Sequence, residues 1–152
     1  MARRRSVASV APPGWVGLPA GSKVFVDTAP FIFVLESHPQ WADRYATLFE
    51  AAASGALQLA LSTVTLAEVL AGPHRTGQTA LAKRYEHALC QYEVLPVTVP
   101  IAALAARLRA ELALKLPDAL QLATALDCGA SALVTHDRDF SRVTALPVFT
   151  AA

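Results

Sequence analysis

Charge is the scarcest commodity in this chain. Of 152 residues, 16% are charged and 54% hydrophobic, against roughly 25% charged in ordinary soluble domains. A surface so poor in charge is expected to be covered in part by another subunit or partner. There are only two cysteines. Cys90 and Cys128 lie far apart and form no CxxC pair, so they are read as buried free thiols of a reducing, cytoplasmic compartment. No run of about 18 apolar residues occurs, which excludes a helical membrane span. GxGxxG and GxSxG are absent too. The net charge of +1 argues neither for nor against a nucleic-acid partner.

The first residues need separate treatment. Arg3-Arg4-Arg5 followed by Ser6-Val7-Ala8 imitates a signal peptide, but Pro12, Pro13 and Gly14 interrupt the apolar segment it would need. Residues 1–22 are therefore read as an N-terminal extension, flexible or loosely docked. Residues 23–152 are read as one domain, long enough to bury a core.

From Lys23 onward, strand and helix patterns alternate. Val24–Val26, Leu57–Leu61, Val94–Val97, Ala132–Val134 and Val148–Phe149 read as short buried strands. Between them, helical spacing predicts helices over Phe31–Leu35, Trp41–Ala53, Val64–Ala71, Thr79–Gln91, Ile101–Leu114 and the stretch from Pro117 to Asp127. Gly72-Pro73 is expected to stop the third. Strands separated by helices imply an α/β fold with a parallel sheet of four or five strands, covered on both faces.

Against this background four acids stand out among only 12. Asp27 follows Val24-Phe25-Val26, Glu68 comes within two helical turns of Leu61, Asp118 opens a helix, and Asp137 follows Leu133-Val134. Each has an ordinary explanation. Thr65-x-x-Glu68 fits a capping box, Asp118 suits a first helical turn, and Asp27 and Asp137 suit turns or N-caps. Together these explanations say less, because all four acids adjoin strongly apolar segments where unpaired carboxylates are costly. No lysine or arginine recurs beside all four. Ligands of open α/β sheets bind at the carboxyl ends of the strands. An all-oxygen donor set there selects Mg²⁺ or Mn²⁺ over zinc, and such ions serve phosphate cleavage. His136, beside Asp137, is read as a turn histidine with no role in preference to a ligand of Mn²⁺.

Four segments carry a family resemblance: Val26–Ile32, Ser62–Leu70, Leu116–Ala125 and Leu133–Phe140. In this order they resemble PIN-domain ribonucleases, most closely the VapC-type toxins of bacterial toxin–antitoxin pairs, over about residues 23–150. The resemblance implies a three-layer α/β/α sandwich and a Mg²⁺- or Mn²⁺-dependent endoribonuclease that cleaves RNA. It also implies a homodimer neutralised by a cognate antitoxin. Carried over by motif, Asp27, Glu68, Asp118 and Asp137 would be the catalytic, metal-binding acids. Thr28 and Thr135 match hydroxyl positions that would hold a carboxylate or a metal-bound water. Asp139, two residues beyond Asp137, is taken as auxiliary, capping the segment at Phe140. The extension before Ser22 is atypical of such toxins.

Gly72–Thr79 imitates a phosphate-binding loop, but Gln78 stands where its lysine belongs and a helix precedes it. For RNA phosphates the candidates are Arg75, Lys83, Arg84, Arg107, Arg109, Lys115, Arg138 and Arg142. Arg138 and Arg142 lead, because they adjoin the acidic rim. The alternative to an enzyme is a catalytically weak PIN-fold binding module acting through protein or RNA binding.

Overall fold

A computed structural model describes residues 11–151; the signal-like segment Arg3–Ala8 lies outside the described residues. Five strands form one parallel sheet: β1 (Ser22–Val26), β2 (Leu57–Ser62), β3 (Glu93–Leu95), β4 (Ala132–Val134) and β5 (Val148–Phe149). Their order is β3-β2-β1-β4-β5, so β1 is central. Ladders run Val24–Leu59 with β2 and Phe25–Leu133 with β4. The helices are α1 (Thr28–Leu35), α2 (Ala42–Ala53), α3 (Thr63–Arg75), α4 (Thr79–Leu89), α5 (Val99–Leu112) and α6 (Leu116–Asp127).

Side chains on a strand alternate between faces, and the core divides accordingly. Val24, Val26, Leu57, Leu59 and Leu61 pack with Phe31, Tyr45, Leu48, Val69 and Leu89 from α1 to α4. Phe25, Ala60 and Leu133 pack on the other face with Ile101, Ala105 and Leu108 of α5 and Leu122 of α6. The result is the expected α/β/α sandwich with a parallel sheet.

Several local expectations shift. α3 does not stop at Gly72-Pro73 but runs on to Arg75, with Pro73 buried. A proline near the C-terminal end forfeits one helical bond, and Gly72 before it has no Cβ to clash with the ring. The phosphate-loop imitation is thus partly helical. α5 starts earlier than expected, because the Thr98 side chain accepts from Ile101 N at 3.3 Å and Pro100 suits the first turn. Third, Gly14–Gly17 forms a 3-10 turn that docks: Trp15 is 1% exposed in the first core cluster. Its ring stacks on Tyr45 at 5.8 Å and its Nε1 donates to Thr47 Oγ1 at 3.2 Å. At least around Trp15, what reads in sequence as a loose arm is part of the core. Among the described residues, no helix is long and apolar enough to cross a membrane.

Candidate metal centre

The carboxyl end of the sheet gathers residues from four parts of the chain. Asp27 directly follows β1 and caps α1, its Oδ1 accepting from Thr28 N at 2.8 Å. Only 7% exposed, it also accepts from Gln121 Nε2 at 3.1 Å through Oδ1 and from Thr135 Oγ1 at 2.8 Å through Oδ2. Burial pushes its carboxyl up, these three bonds pull it down, and Asp137 pushes it up again.

Asp118 sits in the first turn of α6, which Pro117 helps to start. One oxygen each from Asp118, Asp137 and Asp139 lie within 4.8 Å of one another. Asp118 is pushed up to about 6, first by burial, then by Asp137, Asp27 and Asp139, with Lys115 opposing. Asp137 and Asp139 are exposed. Among the described residues, the ion pairs are Lys23–Glu93 and Arg107–Glu111, and neither involves these acids. Arg107, a candidate phosphate contact, therefore lies 3.7 Å from Glu111.

Glu68 lies on α3 outside the three-carboxylate cluster. Thr28 Oγ1 donates to its Oε1 at 3.0 Å. Burial raises its carboxyl first, the Thr28 bond lowers it, and Asp27 raises it again. The capping box expected at Thr65-x-x-Glu68 does not form. Ser62 caps α3 instead, accepting from Val64 N and Thr65 N.

The structure thus brings Asp118 and Asp137 together with Asp139, while Asp27 and Glu68 connect to one another through Thr28. Thr135 links Asp27 to the other acids, because its Oγ1 also accepts from Asp137 N at 3.0 Å. The capping role expected of Asp139 falls to Asp137, whose Oδ1 accepts from Asp139 N at 2.8 Å. With its backbone N–H used in that turn, Asp139 has its carboxylate in the cluster. Arg138 and Arg142 are exposed on the adjoining 3-10 turn, Arg138–Arg142.

His136 is far from idle. Its Nδ1 lies 2.8 Å from Tyr45 Oη, and its ring meets Phe33 at 4.9 Å and Trp41 at 4.7 Å, edge to face. Burial, then His38 and Arg138, push it down, against Asp137. It also lines an open groove of about 660 Å³ with Asp137, Arg138, Phe140 and Thr150.

Gln121 is absent from the sequence expectations. It is 1% exposed and sits one helical turn after Asp118 on α6. The available signal was a polar side chain between Leu120 and Leu122, on the same helix face as Asp118.

The sequence matches the PIN-domain family model over residues 24–146. A search of the curated proteins returned no match. Among solved structures, a toxin–antitoxin complex from Klebsiella pneumoniae is similar at 28% identity and a TM-score of 0.69, covering 85% of this chain and 98% of that one. A DNA-bound VapBC from Salmonella typhimurium shares the fold at 22% identity and a TM-score of 0.71, with 86% and 99% covered. So does a sarcin–ricin-loop-cleaving VapC toxin of Mycobacterium tuberculosis, at 21% identity and a TM-score of 0.63, with 78% and 92% covered. Because the family pattern runs unbroken from β1 past the last of the clustered acids, the chain belongs to the PIN-domain family.

Proposed function

We propose that this PIN-domain chain is a Mg²⁺- or Mn²⁺-dependent endoribonuclease and the toxin of a toxin–antitoxin pair. The observation that carries this reading is the convergence of Asp118, Asp137 and Asp139 within 4.8 Å, with Asp27 near enough to repel Asp118. Like charges crowd around Asp118, which Lys115 opposes, and every candidate donor is a carboxylate oxygen. Such a set fits a hard divalent cation. Asp27, Asp118 and Asp137 would hold it, with Asp139 beside them and Glu68 at the Thr28 side. When bound, Mg²⁺ or Mn²⁺ supplies an acidified water and neutralises charge on the phosphate.

The chain's own residues do the rest. Thr135 and Thr28 hold carboxylates in place by donating hydroxyl protons. Arg138 and Arg142 stand beside the acids, placed to meet RNA phosphates. In the hydrolysis, water oxygen bonds to phosphorus, the bond to the leaving ribose oxygen breaks, and that oxygen ends with a proton.

The Klebsiella likeness, to a structure described as a toxin–antitoxin complex, supports an antitoxin partner. Exposed Val99 (84%) and Leu116 (49%), on a chain short of charge, support a homodimer.

The test is RNA cleavage by purified, antitoxin-free protein. Cleavage is expected with Mg²⁺ or Mn²⁺, is stopped by EDTA, and falls to background in Asp27→Asn and Asp118→Asn. Folded wild-type protein that leaves RNA intact with either ion, or variants that cut like wild type, would overturn the enzyme. RNA binding without cleavage would then favour the binding-module reading.

A further inference from the structure

The hydrogen bonds around Gln121 have a fixed direction. Ser62 Oγ already accepts from Val64 N and Thr65 N, at 3.1 and 3.3 Å. Its own proton is left to donate to Gln121 Oε1, at 2.5 Å. That bond turns the amide nitrogen the other way, where it donates to Asp27 Oδ1 at 3.1 Å and Thr65 Oγ1 at 2.6 Å, with Thr28 Oγ1 at 3.3 Å. The Thr28 hydroxyl donates to Glu68, so the Thr65 hydroxyl, 3.2 Å away, donates to Thr28. The protons therefore all run toward the two carboxylates.

We infer that Gln121 is a positioning residue of the proposed metal centre, its amide orienting Asp27 directly and Glu68 through the Thr65 and Thr28 hydroxyls. The inference rests on the metal-dependent reading above and adds to it an uncharged residue of α6, inside the Leu116–Ala125 segment, that was assigned no role from sequence. A buried amide with both N–H groups and its carbonyl engaged is a rigid element. Ser62, Thr65 and Gln121 are each 1% exposed or less, and among the described residues no buried side-chain polar atom lacks a partner. An apolar side chain of the same length removes that hold while leaving every carboxylate in the chain. Groups that orient metal-binding side chains change metal affinity by about 10- to 100-fold when lost.

The experiment titrates Mn²⁺ into wild type, Gln121→Met, Ser62→Ala and Leu122→Val, following free Mn²⁺ by electron paramagnetic resonance and stability by thermal melting. Gln121→Met is expected to weaken Mn²⁺ binding about tenfold or more, with RNA cleavage recovering toward wild type at saturating Mn²⁺. Ser62→Ala, which unlocks the amide, shifts affinity in the same direction and serves if Gln121→Met fails to fold. Leu122→Val, altering a buried neighbour on α6 without a polar contact, lowers the melting temperature and leaves Mn²⁺ affinity alone. Wild-type affinity in both Gln121→Met and Ser62→Ala overturns the inference while the metal reading stands. A folded wild type that binds no Mn²⁺ overturns the metal reading and the inference with it.

Discussion

Thr135 donates its hydroxyl proton to Asp27 Oδ2 at 2.8 Å, across 108 residues of chain. The Thr135 hydroxyl oxygen in turn accepts from Asp137 N at 3.0 Å. One hydroxyl at the end of β4 thereby joins a buried carboxylate after β1 to the turn that carries two more.

Thr135→Val keeps the shape and removes the hydroxyl. A hydrogen bond to a charged group contributes about 1.5–3 kcal/mol, so stability is expected to fall by roughly that amount. Cleavage should fall as well, because Asp27 and the Asp137 turn lose their common tether. Urea denaturation and an RNA cleavage assay on the same preparation check both. Unchanged stability would mean that water replaces the hydroxyl at no cost.

The acids give the metal-free protein a distinctive pH response. Asp118 is pushed from 3.8 to about 6 by folding, so the folded state holds the proton more tightly. Its contribution to stability is complete below the unfolded value and is lost as pH rises through about 6. Metal-free protein should accordingly lose melting temperature over that window, and Asp118→Asn should flatten the loss. Protons compete with cations for these oxygens. Mn²⁺ should therefore raise the melting temperature more at pH 7.5 than at pH 5. Melts with and without EDTA measure each effect.

Asp118→Asn separates activity from stability in a second way. It removes a charge that is repelled by Asp137, Asp27 and Asp139. At neutral pH the metal-free variant is expected to melt higher than wild type, while its cleavage falls to background. A variant that is both inactive and less stable would point to damaged packing as the cause.

The segment before β1 gives the fourth prediction. Trp15 is 1% exposed, so Trp15→Ala is expected to destabilise by about 3–5 kcal/mol. Gly14→Ala would bring a Cβ within 2.4 Å of the Phe149 ring, with an expected loss of about 1–3 kcal/mol. Denaturation midpoints that match wild type would show this turn to be dispensable for the core.

The fold was legible because its signals are local. Short apolar runs such as Leu57–Leu61 and Ala132–Val134, set off by helical spacing, betray buried strands and covering helices. Asp27, Asp118 and Asp137 were visible for the same reason, as charges placed where an apolar element begins or ends. Gln121 escaped notice because its role is defined by Ser62 and Asp27, which reach it only through folding. Trp15 escaped because Pro12-Pro13 reads as a loose arm, and nothing nearby in sequence announces Tyr45 as its partner. For Asp139 the sequence offered two acids, two residues apart. Only the 3-10 turn, which uses Asp137 to cap the Asp139 backbone, puts the Asp139 carboxylate among the others.

The central place of β1 sets a timetable for the nascent chain. Asp27 leaves the ribosome early, yet β4, its neighbour on one side, follows more than a hundred residues later. Parallel pairings between such distant segments form late. A half-made polypeptide therefore holds no finished acidic centre, and its carboxylates come together only when synthesis is nearly done.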